Sequence, residues 1–327
     1  MHIPDNYLSP STCAVMAAAM LPIWYYSIKK VKEKVPADKI PLIGVGAAFS
    51  FMMMMFNLPI PDGTTAHAVG GTLIALLLGP YSACVAISVA LLIQALVFGD
   101  GGILAFGANC FNMAFMLPFS GFFICRLLGK VLPKKAAIFI GAYIAINLAA
   151  FCAAVEFGIQ PLLFTDAAGQ PLYCPYPLWV SIPAMAFAHL TIAGIAEGVF
   201  TLAIYEFITK VAPGIVEDGK TVKLSPIFGL LLALIILCPL GLIASGTAWG
   251  EWGADEIADV TSGGQALGYV PSQLENGFSY DALFPDYAVS GMPDIVGYIL
   301  SAVIGAALLI IIFKLLGNAF GQKQKTA

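Results

Sequence analysis

The sequence predicts an all-α polytopic membrane bundle of about nine transmembrane helices, with the N-terminus outside and the C-terminus cytoplasmic. Three observations predict it. Of 327 residues, 60% are hydrophobic and 10% charged, against about 25% charged in an ordinary globular chain. Apolar runs long enough to cross ~30 Å of hydrocarbon recur from end to end. The Lys and Arg residues fall into four clusters that nine crossings would put on one side, and the positive-inside rule makes that side cytoplasmic.

The spans are read as 11–28, 41–57, 67–80, 82–98, 107–128, 136–157, 181–207, 226–245 and 294–316. Ser9 and Pro10 supply a cap and a first-turn proline for the first. The third is short; it is either tilted or runs into the fourth through the turn at Gly79-Pro80. The segments after Thr65 and Pro226 open with helix-start chemistry.

The basic clusters are Lys29, Lys30, Lys32, Lys34 and Lys39; Arg126, Lys130, Lys134 and Lys135; Lys210, Lys220 and Lys223; Lys314, Lys323 and Lys325. With these inside, the tip MHIPDNYLSP and the loops near 58–66, 99–106, 159–180 and 246–293 face out. The tip has neither the basic start nor the small-residue cleavage site of a secretory signal. A polar connector over 211–225 separates a seven-span unit, 1–210, from a two-span tail, 226–327. The tail's outer loop, counted with Asp294 at its end, carries eight carboxylates and no Lys or Arg. It either raises cation concentration near an outer mouth or simply shares the scarcity of basic residues in outer loops.

The seven cysteines are odd in number, mostly within spans and without a CxxC, so no disulfide framework or zinc pattern is expected. The methionines at 52–55 point all round a helix and cannot converge on one ion, so they are read as packing. Asn109 and Asn112 suit hydrogen bonding between helices. Ala14 and Ala18 make a small-residue face on the first span. His189 and Glu197 share a helix face and are read as packing or hydrogen-bonding groups, outside any metal site.

Three histidines occur, and two of them, His2 and His67, lie on the outer side of this topology. A chain starting Met-His offers a metal its α-amine, the amide nitrogen of residue 2 and the imidazole Nδ1 of residue 2. These close five- and six-membered chelate rings in one plane. One further imidazole, such as that of His67, completes a square, which suits Ni(II) or Cu(II) and accommodates Co(II). Met1, His2 and His67 are therefore the candidate donors. Pro4 stiffens the tip, Asn6 suits a left-handed turn, and Tyr7 and Leu8 are apolar anchors. Asp5, Asp100 and Asn109 are placed to hydrogen-bond the far nitrogens of the imidazoles; Asp100, in FGDGG, serves equally well as a turn former.

MHIPDNYLSP, GTTAHAVGGTLIALLLGP and QALVFGDGGILAFGANCFNMA resemble the M-type substrate-binding component (CbiM/NikM family) of energy-coupling-factor transporters for nickel and cobalt. The resemblance covers the first seven spans and implies the same donors: the Met1 amine, the amide and imidazole of His2, and the His67 imidazole. Asn6-Tyr7 and Thr65-Ala66 depart from the family's usual Gly-Phe and Ser-Gly, sparing the donors. The tail, through its architecture and FPDYAVSG, resembles the small N-type accessory subunit fused to the M component. The resemblance further implies Ni2+ or Co2+ as transported substrate with no prosthetic group. It implies a transmembrane coupling protein (T component) and cytoplasmic ATPase subunits as partners, no nucleic acid, and a bacterial or archaeal cell membrane. The Ala14/Ala18 face then either docks the coupling protein or packs internally.

The chain has no GxxxxGK(S/T) and no HExxH, so ATP hydrolysis is assigned to separate subunits and no enzyme activity is expected. A stand-alone ion-coupled secondary transporter or channel is the alternative. It calls for paired intramembrane carboxylates or inverted repeats, and Glu197 stands almost alone.

Overall fold

A computed structural model describes residues 1–61, 63–216, 224–262 and 265–326. Lys220 and Lys223 lie outside the described residues, as do most of the connector and the side chains of Lys323 and Lys325. The chain is an all-helical bundle and a multi-pass membrane protein; eight described helices are long and apolar enough to cross a membrane.

Helix α1 (Pro10–Lys34) starts as expected, with Ser9 Oγ accepting from Thr12 N and Pro10 in the first turn. Helix α2 (Ile40–Met54) is apolar on every side and correspondingly central. Met52 to Met55 are all buried there, and the run is packing. A two-strand hairpin follows, β1 (Leu58–Pro59) on β2 (Thr65–Ala66). Helix α3 (Gly71–Leu78) turns at Gly79 into α4 (Pro80–Ile93), which ends in a π-helical turn at Gln94–Phe98. Next come α5 (Phe106–Asn109), a π segment over Cys110–Met116 and α6 (Leu117–Leu128), forming one span. Helix α7 (Lys134–Gly158) leads to the short α8 (Gln160–Leu163). Helices α9 (Leu178–Ala188) and α10 (Gly194–Val211) join through a third π turn at His189–Ala193.

The third of the spans is short, as read: the segment 67–80 holds only eight helical residues, Gly71–Leu78, so that eight described helices are long enough to cross by themselves. Such a helix is ~12 Å long, well short of a bilayer. It does not reach back to His67 because Gly70 is left-handed, φ 73°, and Glu197 Oε2 accepts from the amides of Val69 and Gly70 at 2.8 and 2.9 Å. The carboxylate caps α3. Chain direction is unaffected. Leu78 and Ser82 line a cavity with Lys34, Lys39 and Gly214, and Gly317 abuts Ala37 and Pro41. The ends of α1, α3, α10 and the last helix therefore meet at one basic end. The 19 residues Pro80–Phe98 then carry the chain to the opposite end, roughly 28 Å away.

The tail consists of α11 (Ser225–Leu237), a long loop with β3 (Thr261–Ser262), β4 (Gln265–Ala266) and α12 (Ser272–Asn276), and α13 (Asp294–Thr326). Helix α13 lies along α2. Gly305 makes this possible, since a Cβ there would stand 2.2 Å from the Phe51 ring. The tail reaches the seven-span unit from α13 at Met55, whose carbonyl accepts from Tyr298 Oη at 2.7 Å, and from its loop at Thr64, whose hydroxyl donates to Thr247 O at 3.1 Å.

Candidate metal centre

The first nine residues fold back into the bundle, with Met1, His2, Ile3, Tyr7 and Leu8 all buried. Asn109 holds the tip as a strand partner would: its Oδ1 accepts from Ile3 N at 2.8 Å and its Nδ2 donates to Ile3 O at 3.0 Å. Gly102 N donates to the same carbonyl at 2.8 Å. Gly102 lies so close that a Cβ would meet Asp5 N at 2.5 Å. The Asp5 carboxylate accepts from Ile103 N and Leu104 N, at 2.9 and 2.7 Å. Asn6 takes the left-handed conformation, φ 69°, and exchanges hydrogen bonds with the Phe278 backbone. Tyr7 donates its hydroxyl to Trp252 O, and Ser9 N donates to Gln160 Oε1.

This seating delivers His2 to His67. His67 Nδ1 faces Ala68 O at 3.2 Å, which places the proton on Nδ1 and aims the Nε2 lone pair at His2 Nδ1, also 3.2 Å away. Asp100 Oδ1 approaches the same His2 nitrogen at 3.1 Å. The Met1 amine lies 3.3 Å from Glu251 Oε1 of the tail. Burial, with the nearby α-ammonium second, brings the His2 imidazole down from 6.5 to about 4, so it is neutral near pH 7. Burial pushes the Asp100 carboxyl up, while the hydrogen bond from Tyr287 pulls it down. His2 and His67 also line a cavity of about 360 Å³ with Asn57, Thr247, Glu251 and Asp286.

Two expectations about supporting residues are corrected. Asp5 and Asn109 hold the tip backbone and touch neither imidazole, because their oxygens are taken up by main-chain amides. Asp100 does reach an imidazole, but at His2 Nδ1 rather than at Nε2. Asn112 links helices as read, donating to Glu156 Oε2 at 2.8 Å. His189 Nδ1 faces Met185 O within its own helix, and its π turn lies against the strand β2 that leads to His67. The sequence reading missed Glu251, Tyr287 and Gln94, and left Glu197 without its role behind His67. Their only sequence signal was polarity within an apolar segment (Gln94, Glu197) or membership of the acidic outer loop (Glu251). Among the described residues no trio of His, Cys, Asp or Glu side chains is arranged to hold a metal. A metal here would have to draw on main-chain nitrogen as well.

Comparison with known proteins agrees with this architecture. Residues 2–215 match the family "Cobalt uptake substrate-specific transmembrane region" (CbiM), and residues 224–322 match the PDGLE domain. The chain is 49% identical to the probable fused nickel transport protein LarMN of Lactiplantibacillus plantarum over 96% of its own length and 97% of that protein's. It is 48% identical to the fused nickel transport protein NikMN of Rhodobacter capsulatus, over 95% of each. A crystal structure of a truncated transition metal transporter superposes with a TM-score of 0.62 at 55% identity, covering 64% of this chain and 99% of that one. The chain belongs to the CbiM family and carries a PDGLE domain on the same polypeptide.

Proposed function

We propose that the chain captures Ni2+ or Co2+ outside a bacterial or archaeal cell membrane, as the substrate-binding subunit of an ATP-driven energy-coupling-factor importer. The observation that carries this is the meeting of His2 Nδ1 and His67 Nε2 at 3.2 Å beside a buried chain end. Metal–imidazole bonds of about 2.0–2.1 Å, as for zinc, put neighbouring donors of a square about 2.9 Å apart. Closing the observed gap takes a few tenths of an ångström.

In this reading the Met1 amine and the His2 amide and imidazole take three corners, and His67 Nε2 takes the fourth, opposite the amide. The amine and amide release their protons as the metal enters. The basic end of the bundle faces the cytoplasm by the positive-inside rule, which leaves the centre open to the outside. Residues 1–210 form the metal-binding unit and 226–327 an accessory unit joined by the connector. Ala14 and Ala18 are exposed on α1, which suits docking of a transmembrane coupling protein rather than internal packing.

Radionickel uptake by cells expressing the chain with its coupling protein and ATPases, against cells expressing the chain alone, tests this reading. Uptake that requires the ATPases is expected. Equal uptake by the chain alone would support the stand-alone transporter instead.

A further inference from the structure

The Asp100 carboxylate beside His2 is held from behind by the tail. Tyr287, in the loop before α13, donates its hydroxyl hydrogen to Asp100 Oδ2. Gln94 Nε2 donates to the same oxygen at 2.9 Å and to Tyr287 Oη at 2.8 Å. With Oδ2 thus engaged, Oδ1 is turned to His2 Nδ1, 3.1 Å away. The Tyr287 ring is fixed independently of its hydroxyl: it stacks on Phe98 with centroids 5.0 Å apart and meets Tyr298 edge-on at 5.5 Å. Its carbonyl accepts from Ser301 Oγ at 2.8 Å. Asp286 and Tyr287 both have positive φ, 53° and 61°. Side chains of this size rarely adopt that conformation, and it persists where surrounding contacts impose it.

A phenylalanine would meet every packing requirement at 287. Among the described residues the hydroxyl hydrogen-bonds Asp100 and Gln94, so its use lies there. We propose that Tyr287 is a positioning residue for the metal centre. It fixes the Asp100 carboxylate so that Oδ1 accepts the Nδ1 hydrogen of metal-free His2 and stays beside the cation that replaces that hydrogen, and through it the C-terminal unit bears on a site whose donors all lie within the first 67 residues. This rests on the reading of His2 as a metal donor.

The test uses the purified full-length chain: Ni2+ binding by calorimetry and the ligand-field absorption of the bound ion. The variants are Tyr287→Phe, Asp100→Ala, their double and His2→Ala. Tyr287→Phe should lower Ni2+ affinity roughly 10-fold, because a carboxylate no longer fixed beside the divalent cation attracts it less, and shift the absorption band. Its metal-free melting temperature should match the wild type, because the ring contacts remain. In the Asp100→Ala background Tyr287→Phe should cost nothing more, since the hydroxyl acts through the carboxylate. Wild-type affinity and spectrum in Tyr287→Phe, or two effects that simply add, would overturn the proposal while His2→Ala still loses binding. If His2→Ala binds Ni2+ normally, the metal centre itself is misassigned and the proposal falls with it.

Discussion

His67 Nε2 points at His2 Nδ1 across 3.2 Å, although 65 positions of sequence separate the two residues. Neither side chain arrives there by itself. His2 is carried in by a tip pinned to Asn109, and His67 is held by a loop whose amides are capped by Glu197.

Removal of the Asn109 clamp should therefore loosen the donor set without touching a donor. Asn109→Ala leaves the Ile3 amide without its acceptor in a dry site, a penalty of about 1–3 kcal/mol. Ni2+ affinity should fall about 5- to 100-fold, measured by competition against a chelator. Asp5→Ala should act in the same direction more weakly, because its partners at 103 and 104 lie nearer the surface.

Glu197 should prove a support for His67. Glu197→Ala strips an acceptor from two buried amides, at about 1–3 kcal/mol each, and should lower both the melting temperature and metal affinity. Glu197→Gln keeps a carbonyl oxygen in place and should recover most of the loss. Equal damage in both variants would point to charge rather than hydrogen bonding.

The pH dependence of tip docking follows from His2. Its imidazole titrates at about 4 when docked and near 6.5 when free. The folded value is depressed, so the undocked tip binds the proton first as pH falls. Docking is unaffected above about pH 6.5 and weakens between about 6.5 and 4. A metal-free protein labelled at the His2 ring should show an NMR titration midpoint near the lower value; a midpoint at 6–7 would mean that the tip is not buried in solution.

A methyl group at Gly102 should also unseat the tip. In Gly102→Ala the new Cβ would stand 2.5 Å from both Asp5 N and the Asp5 carboxylate. The backbone on one side cannot yield, so the tip must. Loss of at least about 10-fold in Ni2+ affinity is expected, equivalent to about 1.4 kcal/mol, with protease sensitivity rising within the first ten residues.

Helices with long apolar runs were legible in the sequence, because composition alone excludes any other placement for such runs in a membrane chain. The third span was not: α3 starts only after a left-handed Gly70, in a turn whose amides are bonded to a carboxylate more than 120 positions away. The candidate donors were legible because chelate rings depend on neighbours in sequence, and Met1 and His2 are neighbours. Asn109 reads in sequence either as a helix-to-helix hydrogen-bonding group or as an imidazole partner, whereas its amide, carrying both donor and acceptor, matches the Ile3 peptide. That match depends on the path of the tip, which sequence does not encode locally. Tyr287 and Glu251 reach the centre only because the tail loop folds over it, a contact without periodicity or motif to announce it.

The most direct measurement is Ni2+ and Co2+ calorimetry on the wild type, His2→Ala, His67→Ala and a variant with one residue added before Met1. If the amine and both imidazoles form one site, all three variants lose binding by more than ~100-fold, beyond what supporting partners contribute. Unchanged binding in the extended variant would contradict chelation by the chain end, and with it the role assigned to the tip.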